Sequence, residues 1–230
     1  MRNLRPARTK STKVSIAILA SVIGFTACYP PGQAPILPPG AEPAAEANVV
    51  QLTPGDWSIK YSSGMPANPS ADPGAAWSFK LPSSESAGHV NYVQSPFNET
   101  IQMHSVSLTF RIESDDPTYN VLDTGDILPA TFHIFFEQQG DNLIEPDGRW
   151  WATPGYNLGS QDNQTLTITV PLTSDHWSNV NGETDPQRFA SAWQNVGWVG
   201  ITFGGQYFWG HGVALSGGTA RFVLVEFQVI

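Results

Sequence analysis

The stretch Trp198-Val199-Gly200-Ile201-Thr202-Phe203-Gly204-Gly205-Gln206-Tyr207-Phe208-Trp209-Gly210-His211-Gly212 decides the fold class. Val199, Ile201 and Phe203 recur at period two and share one face, the pattern of a strand with a buried side. Gly204 and Gly205 then let the backbone turn, and Tyr207, Trp209 and His211 follow in a glycine-rich loop. A core strand that runs into an aromatic loop is how a β-sandwich builds a rim of side chains above its core.

The same alternation recurs on both sides of this stretch. His104 to Glu113 places Val106, Leu108, Phe110 and Ile112 on one face, with Ser105, Ser107, Thr109, Arg111 and Glu113 opposite. Ala130 to Gln138 sets Phe132, Ile134 and Phe136 against His133, Phe135 and Glu137, and Thr165 to Leu172 sets Leu166, Ile168 and Val170 against three threonines. Trp77 to Leu81, Val90 to Val93 and the aromatic Arg149 to Ala152 are shorter strands, and Val49 to Lys60 holds another around Trp57 and Ile59. β-branched and aromatic residues dominate throughout. In the last segment Phe222, Leu224, Phe227 and Val229 slip by one residue, which predicts a β-bulge; an unbroken strand would instead bury Val223, Val225, Phe227 and Val229. One helix is expected: Asp185-Pro186 reads as an N-cap with proline at the first position, followed by Gln187 to Asn195 with Phe189, Ala192 and Trp193 at helical spacing. Many short strands, glycine-rich loops and one short helix predict an all-β fold, an antiparallel jelly-roll β-sandwich.

The N-terminal part is not of this kind. Residues 1–13 carry Arg2, Arg5, Arg8, Lys10 and Lys13 and no acid, and Val14 to Ala27 is apolar. These are the n-region and h-region of an export signal, too short for a comfortable membrane span. Phe25-Thr26-Ala27-Cys28 resembles a bacterial lipobox, which implies lipidation of Cys28 and a membrane-anchored lipoprotein of the cell envelope; the alternative is plain secretion. Residues 28–48 read as a Pro/Ala-rich tether, leaving 49–230 as one sandwich domain. Cys28 is the only cysteine, so the domain has no disulfide, no thiol nucleophile and no cysteine-bound zinc. Beyond Cys28 the chain keeps all 20 acids but six of its 11 Lys and Arg residues, a balance of −14. Such a surface argues against nucleic acid and anionic lipid as partners, so contact with a membrane is expected through the N-terminal lipid alone.

From about Trp77 to Ile230 the order of strands resembles the galactose-binding-domain-like jelly roll of many carbohydrate-binding modules. The matching pieces are SVSLTFRIES, TFHIFFEQQGDN, LTITVPLTSDHWSNVNG, WVGITFGG and ARFVLVEFQVI. The resemblance implies a sandwich whose loops or concave face bind sugar, in some members with a structural calcium.

The residues offer four constellations. All eight tryptophans lie beyond Cys28, and Trp150, Trp151, Tyr156, Tyr207 and Trp209 are read in loops, where their faces suit sugar rings; Arg149, Asn157 and His211 are the nearest readers of hydroxyls. Arg111, His133 and Glu137 form a polar face if their strands are neighbours; otherwise the sheet face is merely solvated. For catalysis, Glu137 and Glu226 are the acid/base pair to consider, because glycoside hydrolysis needs two carboxylates about 5–9.5 Å apart; the chain has no Gly-x-Ser-x-Gly or His-Glu-x-x-His motif. No cofactor is required, but Asp141, Asn142, Glu145 and Asp147 crowd one loop with oxygen donors suited to Ca²⁺, and Asp115, Asp116, Asp123 and Asp126 form a second acidic loop. The expected function is non-catalytic carbohydrate binding. The alternatives are a polysaccharide-active hydrolase or lyase, or a structural or adhesive envelope protein without a small ligand.

Overall fold

In chain order the strands are β1 (Asn48–Val49), β2 (Ser58–Lys60), β3 (Ser70–Asp72), β4 (Ala75–Lys80) and β5 (Tyr92–Pro96). They continue with β6 (Ser105–Ser114), β7 (Thr118–Val121), β8 (Thr131–Gln138), β9 (Arg149–Ala152) and β10 (Tyr156–Asn157). The last are β11 (Thr165–Pro171), β12 (Trp177–Asn179), β13 (Val196–Gly204), β14 (Val213–Ser216) and β15 (Ala220–Val229), with one α-helix among the described residues, α1 (Pro186–Trp193). This computed structural model describes residues 48–50, 53–99, 103–122, 129–142, 144–160, 162–205 and 211–230. All of them belong to the unit Ala44–Ile230. The export signal, Cys28, Asp123, Asp126, Tyr207 and Trp209 lie outside the described residues.

Two antiparallel sheets form the sandwich. The first has the order β11-β6-β15-β4-β3, with β1 on β15, and the second β12-β9-β8-β13-β5-β2, with β10 on β8. A separate pair, β14 and β7, completes the described strands. The inward positions are those the alternation predicts. Val106, Leu108, Phe110 and Ile112 of β6 face Phe132, Ile134 and Phe136 of β8 and Val199, Ile201 and Phe203 of β13 across one buried core. Each large apolar side chain so buried contributes about 1.5–3 kcal/mol. The centre is aromatic: Phe110 stacks on Phe222 at 5.6 Å, and Phe132, Phe203 and Phe79 pack around them.

The predicted bulge is present in β15, where the register against β6 shifts between Leu224 and Glu226. Phe222, Leu224, Phe227 and Val229 are all buried, and Val225 is the extra residue that the ladder skips. The helix begins as its sequence dictates. Asp185 accepts hydrogen bonds from the N–H groups of Gln187 and Arg188, both at 2.9 Å, and Pro186 fills the position that needs no donor. Its buried Phe189 packs edge-on to Trp150 and Phe136, and Trp193 packs edge-on to Phe136, so α1 closes one end of the sandwich.

Candidate functional site on the outer face of the second sheet

Successive residues of a strand point to opposite sides. The side of the second sheet turned away from the core therefore carries the odd-numbered residues of β8 and β9 and the even-numbered residues of β5 and β13. Pairing aligns them in rows: Glu137 of β8 stands between Trp198 and Arg149; Phe135 stands between Gly200 and Trp151; and His133 stands opposite Thr202, whose other neighbour is Tyr92. Gln94 lies opposite Gly200, and Ser178 opposite Trp151.

An outward sheet face is ordinarily wet, but this one is buried. Tyr92, Phe135 and Trp151 form an apolar cluster of their own, separate from the core, with Val180 packed against it. Glu137, His133, Gln94, Thr202 and Ser178 are buried around it. Tyr92 meets Phe135 edge-on at 5.1 Å. The Arg149 guanidinium lies 5.8 Å from the Trp151 ring centroid, hydrogen-bonds the Tyr92 side chain, and has Asp141 Oδ2 3.4 Å from its Nε. Burial pushes the Tyr92 phenol up to about 12, although Arg149 pulls the other way. Burial likewise pushes the His133 imidazole below its ordinary value, so the ring is neutral near pH 7. Its Nδ1 lies 2.8 Å from the Ala152 carbonyl and donates to it, and its Nε2 faces Thr131 Oγ1 at 3.3 Å.

Two glycines shape the face. A Cβ on Gly200 would stand 2.2 Å from the Val93 carbonyl oxygen and 3.0 Å from the Phe135 ring. A Cβ on Gly155 would stand 2.3 Å from His133 Nε2. Both positions let a ring lie directly against backbone. On this face the indole nitrogen of Trp151 and Oε1 of Gln94 have no hydrogen-bond partner among the described residues. A buried donor and a buried acceptor without partners cost free energy, and such groups mark candidate sites where a ligand would complete them.

At the margin stands Tyr61, 59% exposed, one of the two large hydrophobic side chains exposed among the described residues. It follows β2, meets Tyr92 edge-on at 5.7 Å, and its backbone is left-handed, with φ of 53°. A non-glycine residue in that region costs on the order of 1–3 kcal/mol and persists where the surroundings enforce it, often at functional sites. Sequence reading passed over Tyr61, Tyr92 and Gln94. The signal available for Tyr61 was a lone aromatic beside the Ser-Ser-Gly run that follows a strand.

The residues expected to act together are dispersed. Trp150 and Trp151 are not loop residues: both lie on β9 and, being adjacent, point to opposite sides, Trp150 into the core and Trp151 onto the outer face. At 1% exposure Trp151 is no open platform. Arg111 does not share a face with His133 and Glu137, because β6 and β8 belong to different sheets. It pairs instead with Glu113 at 2.7 Å, beside Arg221 and Asp72 on the outside of the first sheet. Glu226 is exposed on that same outer surface, hydrogen-bonded by Gln228, while Glu137 is buried on the far surface of the second sheet. Two carboxylates on opposite outsides of a sandwich cannot flank one glycosidic bond.

Tyr156 and Asn157 line a separate crevice between the sheets, a cavity of about 340 Å³ walled by Phe110, Phe132, Leu166 and Ile168. His211 is exposed ahead of β14. In the loop read for calcium, Asp141 caps the N–H groups of Ile144 and Glu145 and turns its other oxygen to Arg149, while Asp147 accepts from Asn179 and meets Arg188. Asn142 and Glu145 face solvent, and no group of three His, Cys, Asp or Glu side chains suited to a metal ion occurs among the described residues.

Comparison of the sequence with protein-family models and with curated proteins finds no match. Among solved structures, the chain is similar to one described as a "putative glycoside hydrolase" from Bacteroides vulgatus, at 12% identity and a TM-score of 0.29. The similarity covers 60% of this chain and 55% of that one, so this chain spans little more than half of that protein's length.

Proposed function

We propose that the sandwich binds a neutral carbohydrate, without turning it over, on the outer face of its second sheet. Tyr61 is the stacking platform at the rim; Tyr92, Gln94, Glu137 and Trp151 are buried beneath it and Arg149 nearly so, and they read hydroxyl groups that enter as the ligand displaces the rim. The observation that carries this reading is the exposed Tyr61 ring, held at positive φ and set against the buried Tyr92 that Arg149 hydrogen-bonds. Aromatic faces pack on the C–H faces of sugar rings, and a polar set with an unpaired donor and an unpaired acceptor suits a ligand that carries both. The acidic balance of the chain disfavours an anionic ligand. We propose further that export and lipidation at Cys28 tether the domain to the cell envelope, so that the glycan is extracellular or periplasmic.

A glycan-array screen of Ala44–Ile230, beside the Tyr61→Ala variant, tests the reading. Binding by the parent domain that is lost in a still-folded Tyr61→Ala protein is the expected result. No binding to any neutral glycan, or binding indifferent to Tyr61, contradicts it. Release of reducing ends from a bound polysaccharide would replace the binding role with a hydrolytic one.

A further inference from the structure

Sheet edges expose unpaired N–H and C=O groups, and proteins blunt them by keeping edge strands short or by placing charge on them. Among the described residues four strands end the two sheet orders, and three follow that rule: β3 has three residues and carries Asp72, β2 has three and carries Lys60, and β12 has three, while the off-path strands β1 and β10 have two each. The fourth does not. β11 runs for seven residues, Thr165-Leu166-Thr167-Ile168-Thr169-Val170-Pro171, without a charged side chain, in a chain that is otherwise strongly acidic.

The register fixes which backbone groups this edge offers. The Leu172 N–H donates to the His104 carbonyl on the β6 side at 2.8 Å. In an antiparallel ladder successive residues point their backbone groups to alternate sides, so Leu166, Ile168 and Val170 turn theirs to β6. Thr165, Thr167 and Thr169 turn theirs outward, and Pro171, which has no N–H, falls on the same outward side. The threonine side chains are exposed on the outer face, where Thr167 and Thr169 are tied to Thr109 at 2.8 Å and Ser107 at 3.1 Å. On the inner side Leu166 and Ile168 are only half-buried, over the crevice between the sheets.

We infer that this edge pairs with the same edge of a second copy, making a two-fold dimer in which the first sheet continues from one chain into the next. A two-fold axis at Thr167 sets Thr165 opposite the partner's Thr169 and Leu166 opposite the partner's Ile168. Every outward N–H of the three threonines then has an acceptor, the half-buried aliphatic residues of both copies cover one another, and no charge meets a like charge along the strand. Pairing is self-complementary because the strand is uncharged and alternates Thr with Leu, Ile and Val, so each copy supplies what the other lacks.

Sedimentation equilibrium of Ala44–Ile230, the unit that holds the entire described core, tests this. The expected mass is that of two chains. Thr167→Pro removes an outward N–H from both copies, and Thr167→Lys sets two ammonium groups side by side at the axis; each raises the dimer dissociation constant on the order of tenfold or more. Near-UV circular dichroism checks that the variants keep their packing, and Thr167→Lys, whose side chain leaves the exposed face, decides if the proline variant does not fold. A single-chain mass at the highest soluble concentration, or a dimer indifferent to Thr167→Lys, overturns the inference.

Discussion

Replacing Gly200 by alanine adds one methyl group at the centre of the second sheet, and the geometry says what it meets. The new carbon would lie 2.2 Å from the Val93 carbonyl oxygen, 2.8 Å from the Gln94 Cα and 3.0 Å from the Phe135 ring. The first two are backbone atoms of a strand paired on both sides, held by β2 and β13, so they cannot rotate away as a side-chain end could. Overpacking of a tight site costs about 1–3 kcal/mol, and contact with backbone puts this case at the upper end, about 3 kcal/mol. For a domain of this size that lowers the melting temperature by roughly 6–12 °C. Gly55→Ala is the control: nothing lies within 4 Å of its Cβ position, so a change within about 0.5 kcal/mol is expected. Thermal unfolding followed by circular dichroism measures both. A Gly200→Ala protein that melts within about 2 °C of the parent would refute the claim that Gly200 is required by the close passage of β5 and Phe135.

Three other outcomes are open to measurement. Hydrogen bonds from Arg111 and Arg221 hold the Glu113 carboxyl below its ordinary 4.5, so its contribution to stability is present above that value and is lost as pH falls through the folded value. Glu113→Gln is therefore less stable than the parent at pH 7, and the gap closes in acid; a gap constant with pH in urea unfolding contradicts the pairing. The Tyr92 phenol, pushed up to about 12, stays protonated where exposed tyrosines ionise; burial pushes Tyr119 and Tyr156 up as well, so Tyr92→Phe takes one tyrosine's share from the late phenolate absorbance and leaves the rest. In the proposed lipoprotein, Cys28→Ser moves the exported protein from the detergent phase to the aqueous phase of a Triton X-114 partition, and unchanged partitioning would argue for secretion without a lipid.

What the sequence made legible was local. Period-two alternation identified the inner faces of β6, β8, β11 and β13, the slipped spacing located the bulge in β15, and Asp185-Pro186 marked the start of α1, because each depends on neighbours a few residues apart. Arg111, His133 and Glu137 show where this ends. Alternation says which side of its own strand a residue takes, but not which sheet the strand joins, and β6 and β8 join different ones. Trp150 and Trp151 were readable in part, since adjacent residues on a strand cannot both face the same side. That the outer face of the second sheet is buried depends on the packing of Tyr61, Val180 and Gly155, from distant segments, over Tyr92, Trp151 and His133, and nothing in the alternation of β8 distinguishes a covered face from a wet one.

The central claim is that the outer face of the second sheet, with Tyr61 at its rim, receives the sugar. The Trp151 indole N–H reports on it most directly, because it is buried and has no acceptor among the described residues. Its resonance can be followed in the amide NMR spectrum of Ala44–Ile230 during titration with a glycan selected by the array. The account predicts a saturable downfield shift of that indole proton, together with shifts at Tyr61, Tyr92 and Gln94. A titration that leaves the Trp151 indole in place and moves Tyr156, Asn157 and Leu166 instead would put the ligand in the crevice between the sheets and contradict the account.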